Sequence, residues 1–279
     1  MRLSDREAAL AIRARLEPLG RTGLSIVYTE KGNSKSALKA AGFWLDGEMY
    51  DLAAFAEDTS DLFKCEAALY EVLVPHPCIP KCIGVELMPD GEEAWASRLE
   101  RAPHVNLREH IGKNEPPTMA RRLQVTVDFT EALQYVHDRG VIWGDASPRN
   151  VLVFDDLHIK LCDFAGSILK DRFPELLFTR EPRCWNETTP RTILEKELFA
   201  LGTAICEIAE SIVPYGPIEI EELQQKLMDG EYPYVGDRNL AKDVIKKLWH
   251  FEYSSAQKAA EALRTALIDT QGGFYVQYW

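Results

Sequence analysis

Val141-Ile142-Trp143-Gly144-Asp145-Ala146-Ser147-Pro148-Arg149-Asn150-Val151-Leu152-Val153-Phe154-Asp155-Asp156-Leu157-His158-Ile159-Lys160-Leu161-Cys162-Asp163-Phe164-Ala165-Gly166-Ser167 is the stretch from which the chain reads outward. Two short apolar runs, Val151 to Phe154 and His158 to Cys162, flank an Asp155-Asp156 turn and predict a β-hairpin. Such a hairpin would hold an acid and an amide, Asp145 and Asn150, at its start beside a second acid, Asp163, at its end. Phosphoryl transfer calls for that grouping: one carboxylate to orient a hydroxyl, and an Asn with an Asp to hold Mg²⁺ on the phosphates.

Composition sets wider bounds. The chain has 279 residues, 46% hydrophobic and 27% charged, which suits a compact protein with a sizeable core. Its formal net charge of -12 argues against nucleic-acid or anionic-membrane partners, which need a basic surface. The opening Met1-Arg2-Leu3-Ser4-Asp5-Arg6-Glu7 is charged and no apolar h-region follows, so no secretory signal is expected. The longest apolar run, Leu198 to Cys206, is too short to span a bilayer, and a cytoplasmic or nuclear location is expected. Cys65, Cys78, Cys82, Cys162, Cys184 and Cys206 are read as free thiols, because Cys78 and Cys82 have no second pair to complete a zinc site.

In the first half, Leu24 to Thr29 and Ser36 to Ala41 read as strands around a Lys31-Gly32-Asn33-Ser34 turn. Gly20 and Gly23 precede them, where backbone N–H groups could approach a phosphate. Asp58 to Leu73 reads as a helix with Thr59, Ser60 and Asp61 as capping residues. Glu66 shares its apolar stripe with Leu62, Leu69, Tyr70 and Leu73, whereas Glu71 falls on a polar face. A carboxylate on an apolar stripe needs a cation to offset the cost of its burial. Strands are expected at Cys82 to Leu87 and Ala94 to Leu99.

In the second half, Met119 to Asp138 predicts an amphipathic helix with Leu123, Val127, Leu133 and Val136 inward and Gly140 past its end. Glu195 to Ile208 is apolar nearly all round and predicts a buried helix. Ile218 to Met228, Leu240 to Phe251 and Ser254 to Ile268 are expected to be further helices. Lys31 to Lys35, Gly42 to Asp51, His104 to Pro117 and the Gly272-Gly273 tail read as irregular.

The Asp145–Asn150 loop and Asp163-Phe164-Ala165 resemble the catalytic loop and D-F-G segment of eukaryotic protein kinases. Other parts follow in order. Lys39 in Ala37-Leu38-Lys39, sixteen residues after Gly23, resembles the strand-three lysine, with Glu66 as its helix partner and Glu57 as the fallback. His76-Pro77-Cys78-Ile79 is similar to the turn leaving the C-helix, and Gly42 to Asp58 reads as an insertion. Leu99-Glu100-Arg101-Ala102 resembles the gatekeeper and adenine-binding hinge, and Glu197 to Gly202 the F-helix. Gly144-Asp145-Ala146-Ser147-Pro148-Arg149-Asn150, Asp163 to Ser167, Pro182-Arg183, Phe199 to Gly202 and the segment Trp249 to Ser254 are similar to fungal protein-kinase-domain proteins in particular.

The resemblance implies an α+β, bilobal fold: one kinase domain with a β-rich N-lobe over 1–102 and an α-helical C-lobe over 103–279. It implies ATP-dependent transfer of a γ-phosphate to a protein hydroxyl, Ser/Thr before Tyr. Asp145 would orient the hydroxyl, Arg149 would supply a cation, and Lys39 with Glu66 would position the α/β-phosphates. Gly20, Gly23, Lys39, Glu100, Ala102, Asn150 and Asp163 would bind the nucleotide, and Asn150 and Asp163 the Mg²⁺. Pro18, Trp143, Ser147, Ala165 and Arg183 depart from the family's usual Gly, His, Lys, Gly and Glu. These departures motivate the alternative of a non-catalytic pseudokinase. Gly144-Asp145 with Pro148 and Asn150 also fits small-molecule kinases of the aminoglycoside or choline type. Gly144 stands where many kinases carry Arg, so a phosphate on Ser167 or Thr179 would lack that partner, and activation-loop phosphorylation is not expected to be required.

Overall fold

Residues 3–21, 25–41, 52–73, 75–87, 94–169, 172–173 and 190–272 are described by a computed structural model. The chain divides into two compact units, one formed by residues 1–76, 80–101 and 163–166, the other by 77–79, 102–162 and 167–279. The fold is α+β, with an antiparallel sheet in the first unit and mostly helices in the second.

In the first unit, α1 (Leu3–Ala14) leads into a five-stranded sheet in the order β1-β2-β3-β5-β4. The strands are β1 (Leu16–Arg21), β2 (Ser25–Glu30), β3 (Ser36–Ala41), β4 (Cys82–Leu87) and β5 (Ala94–Glu100). The Ile, Val, Tyr and Thr of β2 suit a pleated, half-buried surface. Edge strand β1 shifts register between Pro18 and Gly20, a position where proline's missing N–H costs the ladder little. Lys39 pairs with Val27 on one side and Ser97 on the other, so it sits mid-sheet. Tyr28, Leu38, Ala40, Trp95, Ala96 and Phe63 of α2 belong to the apolar core of this unit.

Helix α2 runs Leu52–Leu73, which corrects two expectations. Thr59, Ser60 and Asp61 lie inside the helix rather than capping it, because the strong helix formers of Leu52-Ala53-Ala54 carry it backwards. Residues 52–58 of the expected insertion are therefore helical, and 42–51 lie outside the described residues.

The second unit contains α3 (Leu107–Lys113), α4 (Met119–Asp138), α5 (Ile193–Glu210), α6 (Ile220–Met228), α7 (Lys242–Trp249) and α8 (Ala256–Gly272). The span of α4 matches expectation, and Gly140 beyond it has φ +73°, as a helix stop requires. The stretch 104–117 is not wholly irregular. Asn106 caps α3 by accepting the Glu109 N–H at 3.0 Å and donating to the Glu109 carboxylate at 2.8 Å. Short pairs β6 (Val141–Ile142) with β9 (Ile168–Leu169), and β7 (Val151–Val153) with β8 (Ile159–Leu161), complete the unit. The β7–β8 pair is the expected hairpin, and Asp156 takes φ 56° in its turn.

Helices α5 and α7 approach closely at Gly202. A Cβ there would lie 2.9 Å from Leu248 Cβ and 3.1 Å from Trp249 Cδ1. Among the described residues no helix is long and apolar enough to cross a membrane, and Cys65, Cys78, Cys82, Cys162 and Cys206 are not joined in disulfides; Cys184 lies outside the described residues.

Candidate active site

The first unit brings Lys39, Glu66 and Asp163 together. The Lys39 ammonium lies 3.0 and 3.1 Å from the two Glu66 oxygens and 2.5 Å from Asp163 Oδ1. The Glu66 side chain is 0% exposed, as its place on the apolar stripe implies, and Glu71 is exposed. Burial works against the charge on Lys39, but Asp163 and Glu66 outweigh it and hold the ammonium protonated above the usual lysine range. Burial also pushes Glu66 up; Lys39 and the Phe164 N–H pull it down, while Asp163 pushes the same way as burial. Two carboxylates on one ammonium leave a surplus negative charge, which adds to burial in keeping Glu66 high.

Asp163 has φ 60°, a left-handed conformation that a short polar side chain tolerates. The next residue anchors the segment: Phe164 is fully buried and meets the Tyr70 ring edge-on, 5.3 Å between centroids at 86°. Glu57 lies nine residues before Glu66 in α2, its side chain is outside the described residues, and Lys39 is taken by Glu66.

The second unit brings Asp145, Arg149 and Asn150 together. The Asn150 amide nitrogen donates to Asp145 Oδ2 at 2.8 Å and to the Asp145 carbonyl at 3.1 Å. Arg149 Nη2 donates to Asp145 Oδ2 at 3.0 Å and to Oδ1 at 3.3 Å. The expected phosphate-binding cation therefore pairs with the expected base. Gly144 has φ 82°, which explains glycine at this position: a side chain there would be strained. Its N–H donates to Glu197 Oε1 of α5 at 2.5 Å, and Glu197 Oε2 lies 2.5 Å from His137 Nε2. Trp143 is buried, donates from Nε1 to the Cys162 carbonyl at 3.0 Å, and packs near Phe129 at 6.2 Å. It is a core residue, as its size predicts.

Residues 52–255, well over half of the chain, match the family described as protein tyrosine and serine/threonine kinase. This chain belongs to the protein kinase family. It is 27% identical to Serine/threonine/tyrosine-protein kinase HT1 of Arabidopsis thaliana over 161 residues, 55% of this chain and 40% of that protein. It is 26% identical to 3-phosphoinositide-dependent protein kinase 1 of Homo sapiens over 131 residues, 44% of this chain and 24% of that protein. It is 24% identical to STE20-related kinase adapter protein strd-1 of Caenorhabditis elegans over 130 residues, 43% of this chain and 34% of that protein. The chain spans less than half the length of each of these relatives.

Other residues singled out from kinase resemblance are less tightly joined. Gly20 is exposed in β1, where an added Cβ would meet nothing within 4 Å, and Gly23 lies outside the described residues. Glu100 carries structure: its N–H donates to the Lys81 carbonyl at 2.8 Å and its Oε2 accepts the Lys81 N–H at 3.1 Å. Ala102 follows in irregular backbone. Ser167 is 2% exposed and its hydroxyl donates to the Trp143 carbonyl at 2.8 Å, so it is closed to modification in this conformation. Thr179 and Arg183 lie outside the described residues. His137, which meets Glu197, carries no sequence signal beyond being a polar residue at a helix end.

Proposed function

We propose that this chain is an active protein kinase that transfers the γ-phosphate of ATP to a protein hydroxyl, Ser or Thr before Tyr. The observation that carries this reading is Lys39, buried between Glu66 and Asp163. A buried ion cluster is a poor device for stability, since apolar residues of similar volume usually serve as well. It suits a cation kept charged and aimed for polyphosphate.

Asp145 would accept or orient the hydroxyl proton, and its bond to Asn150 fixes the carboxylate's rotamer. Both amide contacts of Asn150 use its nitrogen, which turns Oδ1 away from Asp145. Asn150 Oδ1 and the Asp163 carboxylate are hard oxygen donors of the kind that fit Mg²⁺ held mainly by phosphates. When bound, Mg²⁺ would neutralise charge on the phosphates. Lys39 would then bind α/β-phosphate oxygens, Arg149 would add positive charge beside the acceptor, and Gly20, Gly23, Glu100 and Ala102 would contribute backbone to the nucleotide site. The division at residue 102 into N-lobe and C-lobe, the kinship with fungal kinase-domain proteins, and a cytoplasmic or nuclear location belong to the same reading. The acidic net charge supports protein partners rather than nucleic acid or membrane.

The test is to incubate the protein with labelled ATP and Mg²⁺ against generic protein substrates and a panel of amino alcohols. Label is expected on protein; amino-alcohol phosphorylation at a far higher rate would overturn the assignment. A second reading, an ATP-binding docking module, is favoured by the Arg149–Asp145 pairing and by the adapter named among the relatives. It predicts a thermal shift with ATP and Mg²⁺ but no label on any acceptor.

A further inference from the structure

Glu207 is buried in α5, and Arg108 of α3 reaches it with Nε at 2.7 Å and Nη2 at 2.6 Å. The Glu207 side chain is 1% exposed and that of Arg108 17%. Such two-point pairing fixes a guanidinium in orientation as well as position. The same Nη2 lies 3.4 Å from Oγ of Ser147, which is fully buried. Ser147 Oγ accepts the Arg149 N–H at 3.4 Å, and the Ser147 carbonyl accepts the Asn150 N–H at 2.9 Å. Ser147 is thus the cap of the short 3-10 turn Pro148–Asn150, whose last residue bonds twice to Asp145.

We infer that Arg108 is a positioning residue for phosphotransfer, transmitting the fixed position of α5 to the turn that carries Asn150 and orients Asp145. This rests on the kinase reading. Helix α5 grips the loop at two places: Glu197 takes the Gly144 N–H directly, and Glu207, ten residues further along, acts through Arg108 on Ser147. Ten residues of helix rise about 15 Å, so the second grip needs a long intermediary. The small side chain at 147 leaves room for the guanidinium; a lysine there would compete for its space and repel its charge. A stability role alone would not select this arrangement, because a buried ion pair can often be replaced by apolar residues without loss. An apolar pair cannot donate to Ser147.

Arg108→Met alone strands the Glu207 charge, so the test uses Arg108→Met/Glu207→Leu, which removes both charges, and Arg108→Lys, which keeps both. Melting temperature, amide hydrogen exchange over 145–150, kcat and ATP KM are measured for each. The double variant is expected to melt within about 3 °C of wild type, with exchange at Arg149 and Asn150 at least about tenfold faster. Its kcat should fall roughly 10- to 100-fold while ATP KM changes less than about threefold, and the Arg108→Lys variant should keep only part of the wild-type rate. If the double variant unfolds, Arg108→Lys is read by the same criteria. Unchanged exchange and kcat in a folded variant would overturn the inference. If wild type transfers no phosphate, the kinase reading fails, and the exchange data still decide whether Arg108 positions the loop.

Discussion

Arg98 and Lys39 are both cations shared by two carboxylates, and they differ in what the sharing does. Arg98 bridges Glu30 at 2.7 Å and Glu86 at 2.6 Å on the sheet surface and also donates to Ser36 at 3.0 Å. Its hydrogen bond to Glu30, working against partial burial, holds that carboxyl below the usual range. A depressed carboxyl adds stability above its unfolded value of 4.5 and loses it as pH falls through the lower folded value. Glu30→Gln should therefore cost about 1 kcal/mol at pH 7 and progressively less below pH 4.5, read from urea midpoints. A deficit that grows toward acid would contradict this. Lys39, by contrast, is buried, and its two carboxylates serve its charge rather than the sheet. Glu66 was legible in the sequence because an acid on an apolar stripe must meet a cation. Arg108 was not: its partners lie 39 and 99 residues away and leave no local pattern.

Helix α5 is the element on which the second unit turns. It starts with a capping box in which Thr192 Oγ1 accepts the Glu195 N–H and Glu195 Oε2 accepts the Thr192 N–H at 2.9 Å. It buries Glu197 and Glu207 and lets α7 press on Gly202. Gly202→Ala should destabilise by about 1–3 kcal/mol despite alanine's better helix propensity, because Leu248 Cβ belongs to a rigid neighbour and cannot swing away. A drop in melting temperature of roughly 2–10 °C is expected, and an unchanged or raised value would show that α7 shifts freely. Long periodic helices such as α4 could be read directly from their apolar spacing. The start of α2 could not, since Thr59-Ser60-Asp61 has the composition of a cap while sitting within a helix. Helix α3 was hidden by its shortness, although Asn106 and Glu109 carry a cap's spacing.

At the scale of the molecule, one unit holds a buried lysine with two acids, and the other holds an acid with an amide and an arginine. The order of motifs made the kinase family legible, because kinase parts recur in a fixed sequence along the chain. The departures at Trp143 and Gly144 have local physical reasons, a filled core position and a positive φ, and neither removes a reacting group. In the proposed reaction, Asp145 is the residue on which transfer depends. The most direct measurement is the rate of phosphate transfer from labelled ATP for wild type, Asp145→Asn and Asp145→Ala, with ATP-induced thermal shifts measured on the same samples. Wild-type transfer should fall roughly 10²- to 10⁴-fold in both variants while the thermal shift persists. Transfer by either variant at the wild-type rate, or its absence from wild type that binds ATP, would contradict the account.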